Sequence, residues 1–140
     1  MPTPFESAQL NLKLFELRRE PLLRQAREWV TRDFNPESFE AMMAELRGEH
    51  NTWFRMVYGY WEMAASLVTT GAIDRDAFLA ANTEVFAAFS KIHPFLEDSR
   101  ASIGEPGMFR HMEDVVMAAP DAAARLERTR TRLRAMAKAQ

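Results

Sequence analysis

Cysteine is absent from this 140-residue chain. That excludes disulfides, zinc–thiolate sites, iron–sulfur clusters and thiol catalysis together, and it fits a reducing cytoplasm, the expected location. Glycine is scarce, at five residues, and no Gly-rich phosphate loop is present; Gly104-Glu105-Pro106-Gly107 reads as a turn. The few serines include none in a nucleophile elbow. Three histidines are present, but none follows a glutamate by three residues, so the Glu-x-x-His pairs of di-metal bundles are missing, as is a zinc-peptidase motif. Glu45, Glu49 and His50 are the one cluster of ligand types, more simply read as a solvated helix end. No metal, cofactor or acid–base–nucleophile set is expected.

Long apolar runs are lacking too. Glu6, Lys13, Glu16, Arg18 and Arg19 interrupt the N-terminal segment, so neither a signal peptide nor a lipidation start is expected there. Period-two alternation and Asn-Gly or Asp-Gly hairpin signals are equally absent, which argues against strands.

What is present fits a single globular domain spanning residues 1–140. At this length about two thirds of the unfolded chain's surface can be buried. The net charge of −2 is unevenly spread. Residues 1–32 carry six bases and four acids, residues 33–124 six bases and fifteen acids, and residues 125–140 six bases and one acid. The simplest reading is an acidic body against which a basic terminal helix docks. The alternative is a basic arm for nucleic acid or anionic lipid, with Arg128 and Arg132 on its basic side. The acidic balance of the rest makes nucleic acid a minor reading.

Helix signals recur throughout. A first helix is predicted over about Phe5–Arg19, with Pro21 stopping it, kinking it or opening the next helix, Pro21–Arg32. Asn35-Pro36-Glu37 has the form of an N-cap, a Pro at N1 and a first-turn acid, and Gly48 has the form of a left-handed C-cap. Another helix is predicted over Glu49–Thr69, closed by Gly71. Asp74 caps a further helix running to about Ile92. A shorter helix near Phe95–Ile103, one over Met108–Ala118 and a last one over Asp121–Lys138 complete the chain.

The segment Trp53–Met63 packs two tryptophans, two tyrosines, a phenylalanine and two methionines into eleven residues. Up to Val68, the interruptions are Arg55, Gly59, Glu62 and Ser66, whose spacing places them on one narrow stripe of a helix. With every other face apolar, the helix is surrounded by its own domain or shared with a second subunit. It is too short and too charged for a membrane span, and its polar face too narrow for a monotopic anchor. Trp53, Tyr60 and Trp61 are interaction candidates. Glu62, if covered, needs a partner, for which Arg100 is a guess; Glu62 on the wet stripe is the plainer alternative. Asn82 interrupts the stripe Phe78, Val85, Phe89 and Ile92. Such a residue fixes helix register or oligomer state by bonding its counterpart, or it bonds a neighbouring carbonyl. His93 lies at a helix end, before Pro94.

Tyr60–Arg100 resembles the centre of a widespread bacterial helical family of unknown function. Its members show a Trp/Phe-Glu pair, an apolar turn, Gly-x-Ile-Asp and a helix ending near a Pro and an Arg. The matching residues are Trp61-Glu62, Leu67-Val68, Gly71-Ala72-Ile73-Asp74, Pro94 and Arg100. Some members carry an N-terminal membrane helix, which this chain does not show. The resemblance implies a helical packing pattern and no activity.

Together these features predict an all-α, single-domain bundle of five to seven helices around a central antiparallel pair, Glu49–Thr69 and Asp74–Ile92. The function expected first is a non-enzymatic interaction or regulatory module that self-associates as a dimer. A small-ligand binder or enzyme with a site inside the bundle, using Glu62, Asn82 or His93, is the runner-up, and nucleic-acid binding the third reading.

Overall fold

The computed structural model describes residues 1–139, and among them no strand is present. The helices, in order, are α1 (Pro4–Arg18), α2 (Pro21–Arg32), α3 (Phe39–Leu46), α4 (Asn51–Thr69), α5 (Arg75–Ala81), α6 (Glu84–Ile92), α7 (Leu96–Ile103), α8 (Arg110–Met117) and α9 (Ala122–Lys138), with a 3-10 turn at His93–Phe95 between α6 and α7. No helix among the described residues is long and apolar enough to cross a membrane.

Local chemistry explains most boundaries. Thr3 and Glu6 form a reciprocal capping box before α1, and Pro4 opens that helix. Pro21 settles as the first residue of α2, where its missing N–H is no loss, while the Glu20 carboxylate accepts from the amides of Leu22 and Leu23. Asp74 caps α5 through the Ala77 amide. At Gly71, φ is +88°, and the chain reverses so that the amides of Ala72 and Ile73 both donate to the Leu67 carbonyl.

Several expected signals give way. α3 is capped by Ser38, whose hydroxyl accepts from the Ala41 amide, and not by Asn35. Asn35 instead donates to the Arg32 carbonyl and accepts from Lys91. α3 ends at Leu46 with right-handed Arg47 as its C-cap, so Gly48 is no left-handed cap. The helix expected over Asp74–Ile92 is broken at Asn82, whose side chain donates to the Phe78 carbonyl one turn back. An asparagine amide offers the backbone an alternative to continuing the helix. This break divides one expected helix into α5 and α6, and the described residues form nine α-helical segments in an all-α bundle, the fold class expected.

α4 is the centre of the molecule, but its lateral neighbours are α2 and α8 rather than the segment that follows it. Val57, Tyr58, Trp61, Ala64 and Ala65 are all buried, and the Tyr58 hydroxyl donates to the Ala88 carbonyl of α6. The aromatic run is therefore core, covered by the chain's own helices. Its wet stripe is the expected one: Arg55 and Gly59 are exposed and Glu62 and Ser66 are half-buried, with Met63 beside them.

α9 lies along α6 and also touches α2 and α8. The Arg125 guanidinium sits 3.6 Å above the Phe86 ring, Arg130 reaches the Ser90 carbonyl and Arg134 the Pro36 carbonyl. Half of the basic helix is thus spent on docking, and Arg128 and Arg132 stay exposed.

Candidate functional site

A partly enclosed cavity of about 380 Å³ opens between α3, α4, α7 and the turn before α8. Met42, Met43 and Leu46 come from α3, where spacings of three and four put Met42, Met43 and Leu46 along one side. α4 contributes Asn51, Phe54 and Arg55 from its first turns, and Ile92 closes the end of α6. α7 adds Leu96, Ser99 and Ile103, again one turn apart, and the last wall is Met108 and Phe109. The lining is overwhelmingly apolar, and three of its members are methionines, whose flexible thioethers adapt to irregular occupants. The volume falls at the low end of the ~300–1,000 Å³ typical of small-molecule sites.

Two residues singled out in the sequence hold this last wall without lining the cavity. Glu62 accepts from the backbone amides of His111 (3.1 Å) and Met112 (2.8 Å), so its carboxylate sits on the N-terminus of α8. Exposed amides and the helix dipole favour a negative charge there. Arg100 makes no pair with Glu62. Its guanidinium donates through Nε and Nη2 to the Met108 carbonyl and pairs with Glu97 and Glu113, all at 2.9–3.0 Å. Between these two clamps Phe109 adopts φ +56°, ψ +30°, a left-handed conformation that costs a non-glycine residue about 1 kcal/mol. Its ring packs 5.7 Å from Tyr58 and 6.3 Å from Phe54. The clamps thus hold a strained residue in place as part of the cavity wall.

The remaining sequence candidates lie elsewhere. Asn82 is buried against α1: it accepts from Arg18 at 2.7 Å and donates to Asn11 at 2.9 Å. His93 opens the 3-10 turn with its ring 5.4 Å from Phe89; burial, aided by Arg130, lowers its pKa. Half-buried Trp53 packs with the buried Trp29 and with half-buried His50. The Tyr60 hydroxyl donates to the Leu14 carbonyl, and Trp61 is fully buried with its indole N–H unpaired. His50 is stacked on Trp29 at 4.8 Å, with Glu45 and Glu49 only 3.7 and 4.0 Å away. Among the described residues, no three His, Asp or Glu side chains converge as metal ligands.

Sequence reasoning missed the methionine wall and the position of Arg55 at its edge. The pair Met42-Met43, with a third methionine beside the Gly104–Gly107 turn, was the available signal. It also missed Lys91, whose side chain is 1% exposed and whose ammonium donates to the carbonyls of Thr31 and Phe34 and to Asn35 Oδ1. Burial, and secondarily Arg134, lowers its pKa to about 8.

The family model described as Domain of unknown function (DUF4760) matches residues 4–118. The match takes in the whole cavity and both clamps and stops short of α9. No curated protein and no solved structure matches the chain.

Proposed function

From the cavity of this chain, which belongs to that DUF4760 domain family, we propose a non-enzymatic binding module for a small, largely apolar molecule. The observation that carries the reading is the partly enclosed apolar chamber itself, whose last wall is fixed by Glu62 and Arg100. The groups available for chemistry around it support binding over catalysis. Its lining holds no carboxylate and no histidine. The Ser99 hydroxyl is turned to the Phe95 carbonyl, and the Asn51 amide to the Leu46 carbonyl. A general base within reach of a bound substrate is therefore lacking among the lining side chains. Titrating 1-octanol while recording amide NMR spectra tests this. Shifts should concentrate on residues 42–55 and 96–109 and disappear in Met43→Trp, which fills the chamber from its half-buried edge. Absent or scattered shifts overturn the reading.

Self-association is a second reading, and α1 favours it on its own account. α1 is anchored through Ser7, Leu14 and Arg18, while Phe5, Leu12 and Phe15 share the opposite face at 69, 68 and 51% exposure. That face suits a second copy in antiparallel pairing. A two-fold axis at Leu12 sets Phe5 opposite Arg19 of the other copy, a ring against a guanidinium, in both directions at once. Light scattering should give twice the chain mass at micromolar concentration and the single chain mass for Leu12→Glu. A monomeric wild type overturns this reading.

A further inference from the structure

We infer that the cavity takes an amphipathic anion, an apolar chain or ring ending in a carboxylate or similar acid group, with the acid held by Arg55 at the edge of the chamber. This rests on the binding function proposed above and names the chemical class of its ligand.

Charge and pairing both point this way. Among the described residues, Arg55 is the only ionisable one in the lining. It is exposed, and among the described residues it has no hydrogen bond, ion pair or aromatic ring for its guanidinium. Arg27 grips Glu84 with two donors, Arg100 holds Glu97 and Glu113, and Arg18 holds Asn82, whereas among the described residues Arg24, Arg47, Arg75, Arg110, Arg128 and Arg132 share the unpaired state of Arg55 but do not line the chamber. An unpaired guanidinium fork beside an apolar chamber matches a carboxylate in shape and charge. The interior asks for nothing polar, because its serine and asparagine side chains already donate to backbone carbonyls. A ligand apolar along its length and anionic at one end satisfies both regions. A cationic head meets the like charge of Arg55, and a wholly polar molecule leaves the chamber without an apolar occupant. The unpaired Arg55 lies one turn from the wall residue Asn51 on the same helix, so head and chamber are presented by one rigid element.

The test is calorimetric titration of decanoate, decanol and decyltrimethylammonium, each kept below its micelle concentration, into the full chain and into Arg55→Met, Arg55→Lys and Met43→Trp. Decanoate should bind tightest and the cation weakest. Arg55→Met should weaken decanoate roughly tenfold, the scale of one charge-assisted contact, and leave decanol unchanged. Arg55→Lys keeps the charge but loses the fork and should weaken decanoate less than Arg55→Met does, and raising the salt should erode only the decanoate preference. Met43→Trp should weaken both decanoate and decanol. Equal affinity for decanoate and decanol, or indifference to Arg55→Met, overturns the assignment of the head group while leaving the binding function standing. Failure of all three probes to bind overturns both. Arg55-dependent sedimentation with phosphatidylglycerol vesicles, without decanoate binding, also overturns the inference, because it places the anion on a membrane surface and not in the chamber.

Discussion

The carboxylate of Glu62, in the middle of α4, caps the amide of Met112 in the first turn of α8, with Oε1 2.8 Å from the nitrogen. A second oxygen takes the neighbouring His111 amide. This is a helix N-cap supplied from fifty residues away, and it fixes α8 against its main partner, α4. Glu62→Ala should cost about 1–2 kcal/mol, the usual size of a lost N-cap with charge-assisted bonds. Glu62→Gln keeps one acceptor and should recover about half. Urea denaturation gives the totals. Amide exchange should quicken at His111 and Met112 before it quickens elsewhere, and unchanged protection there would remove the capping role.

Asn82 ties α1 to the body. Its amide bridges Phe78 and Asn11 while its oxygen receives Arg18, so α1 and the α5–α6 break share one polar knot. Asn82→Leu leaves the Arg18 guanidinium with only its 3.4 Å bonds to the Tyr60 hydroxyl and the Ala81 carbonyl and should cost roughly 2–4 kcal/mol. A double-mutant cycle with Arg18→Met should show a coupling of about 1 kcal/mol or more, measured by denaturant midpoint at constant m-value. Additive effects would mean the two side chains act separately.

The knot also shows which parts of the architecture were legible in the sequence. Pro21, Gly71 and Asp74 carry their meaning in their own backbone and immediate neighbours, and each does what its local signal says. Asn35 carries an equally good local signal, but Lys91, fifty-six residues on, claims its side-chain oxygen, and Ser38 caps the helix instead. Glu62 could be read as a carboxylate in need of partners, but not that the partners were backbone amides of α8, because backbone donors leave no mark in a sequence. The cavity was hidden for a similar reason. Its walls come from four helices and a turn spread over residues 42–109, and a methionine facing a chamber is spelled like one packed in a core.

Two glycines separate backbone strain from backbone freedom. Gly104 ends α7 at φ +72°, and a Cβ added there would meet nothing within 4 Å. Gly104→Ala should therefore cost about 1 kcal/mol from conformation alone. Gly59 is exposed in the middle of α4 at ordinary helical dihedrals, with equally open space around its missing Cβ. Gly59→Ala should stabilise by about 0.5–1 kcal/mol, because alanine has less freedom to lose on folding. Thermal melts of both variants should move in opposite directions from the wild type. Shifts of the same sign would contradict the positive φ at Gly104.

Lys91 gives the fold a stability that depends on alkaline pH. In the folded chain burial holds its pKa at about 8, against 10.5 for an exposed lysine. Below pH 8 the ammonium is charged in both states, and the folded state bears the desolvation. Between 8 and 10.5 the folded state gives up the proton while the unfolded state keeps it, so the unfolded state binds more protons and stability rises with pH. The full span is worth roughly 3 kcal/mol at most. Tyrosine acts in the opposite sense from about pH 10. Burial raises the pKa values of Tyr58 and Tyr60, so the unfolded state ionises first and stability falls again. Urea titrations at successive pH values should therefore show stability climbing from pH 8 and turning over near pH 10. In Lys91→Met the climb should vanish while the fall above pH 10 remains, even though that variant, which leaves the Thr31 and Phe34 carbonyls without their donor, starts from a lower stability. A wild-type profile flat from pH 8 to 10, or a climb that survives in Lys91→Met, would show that this ammonium is not the titrating group.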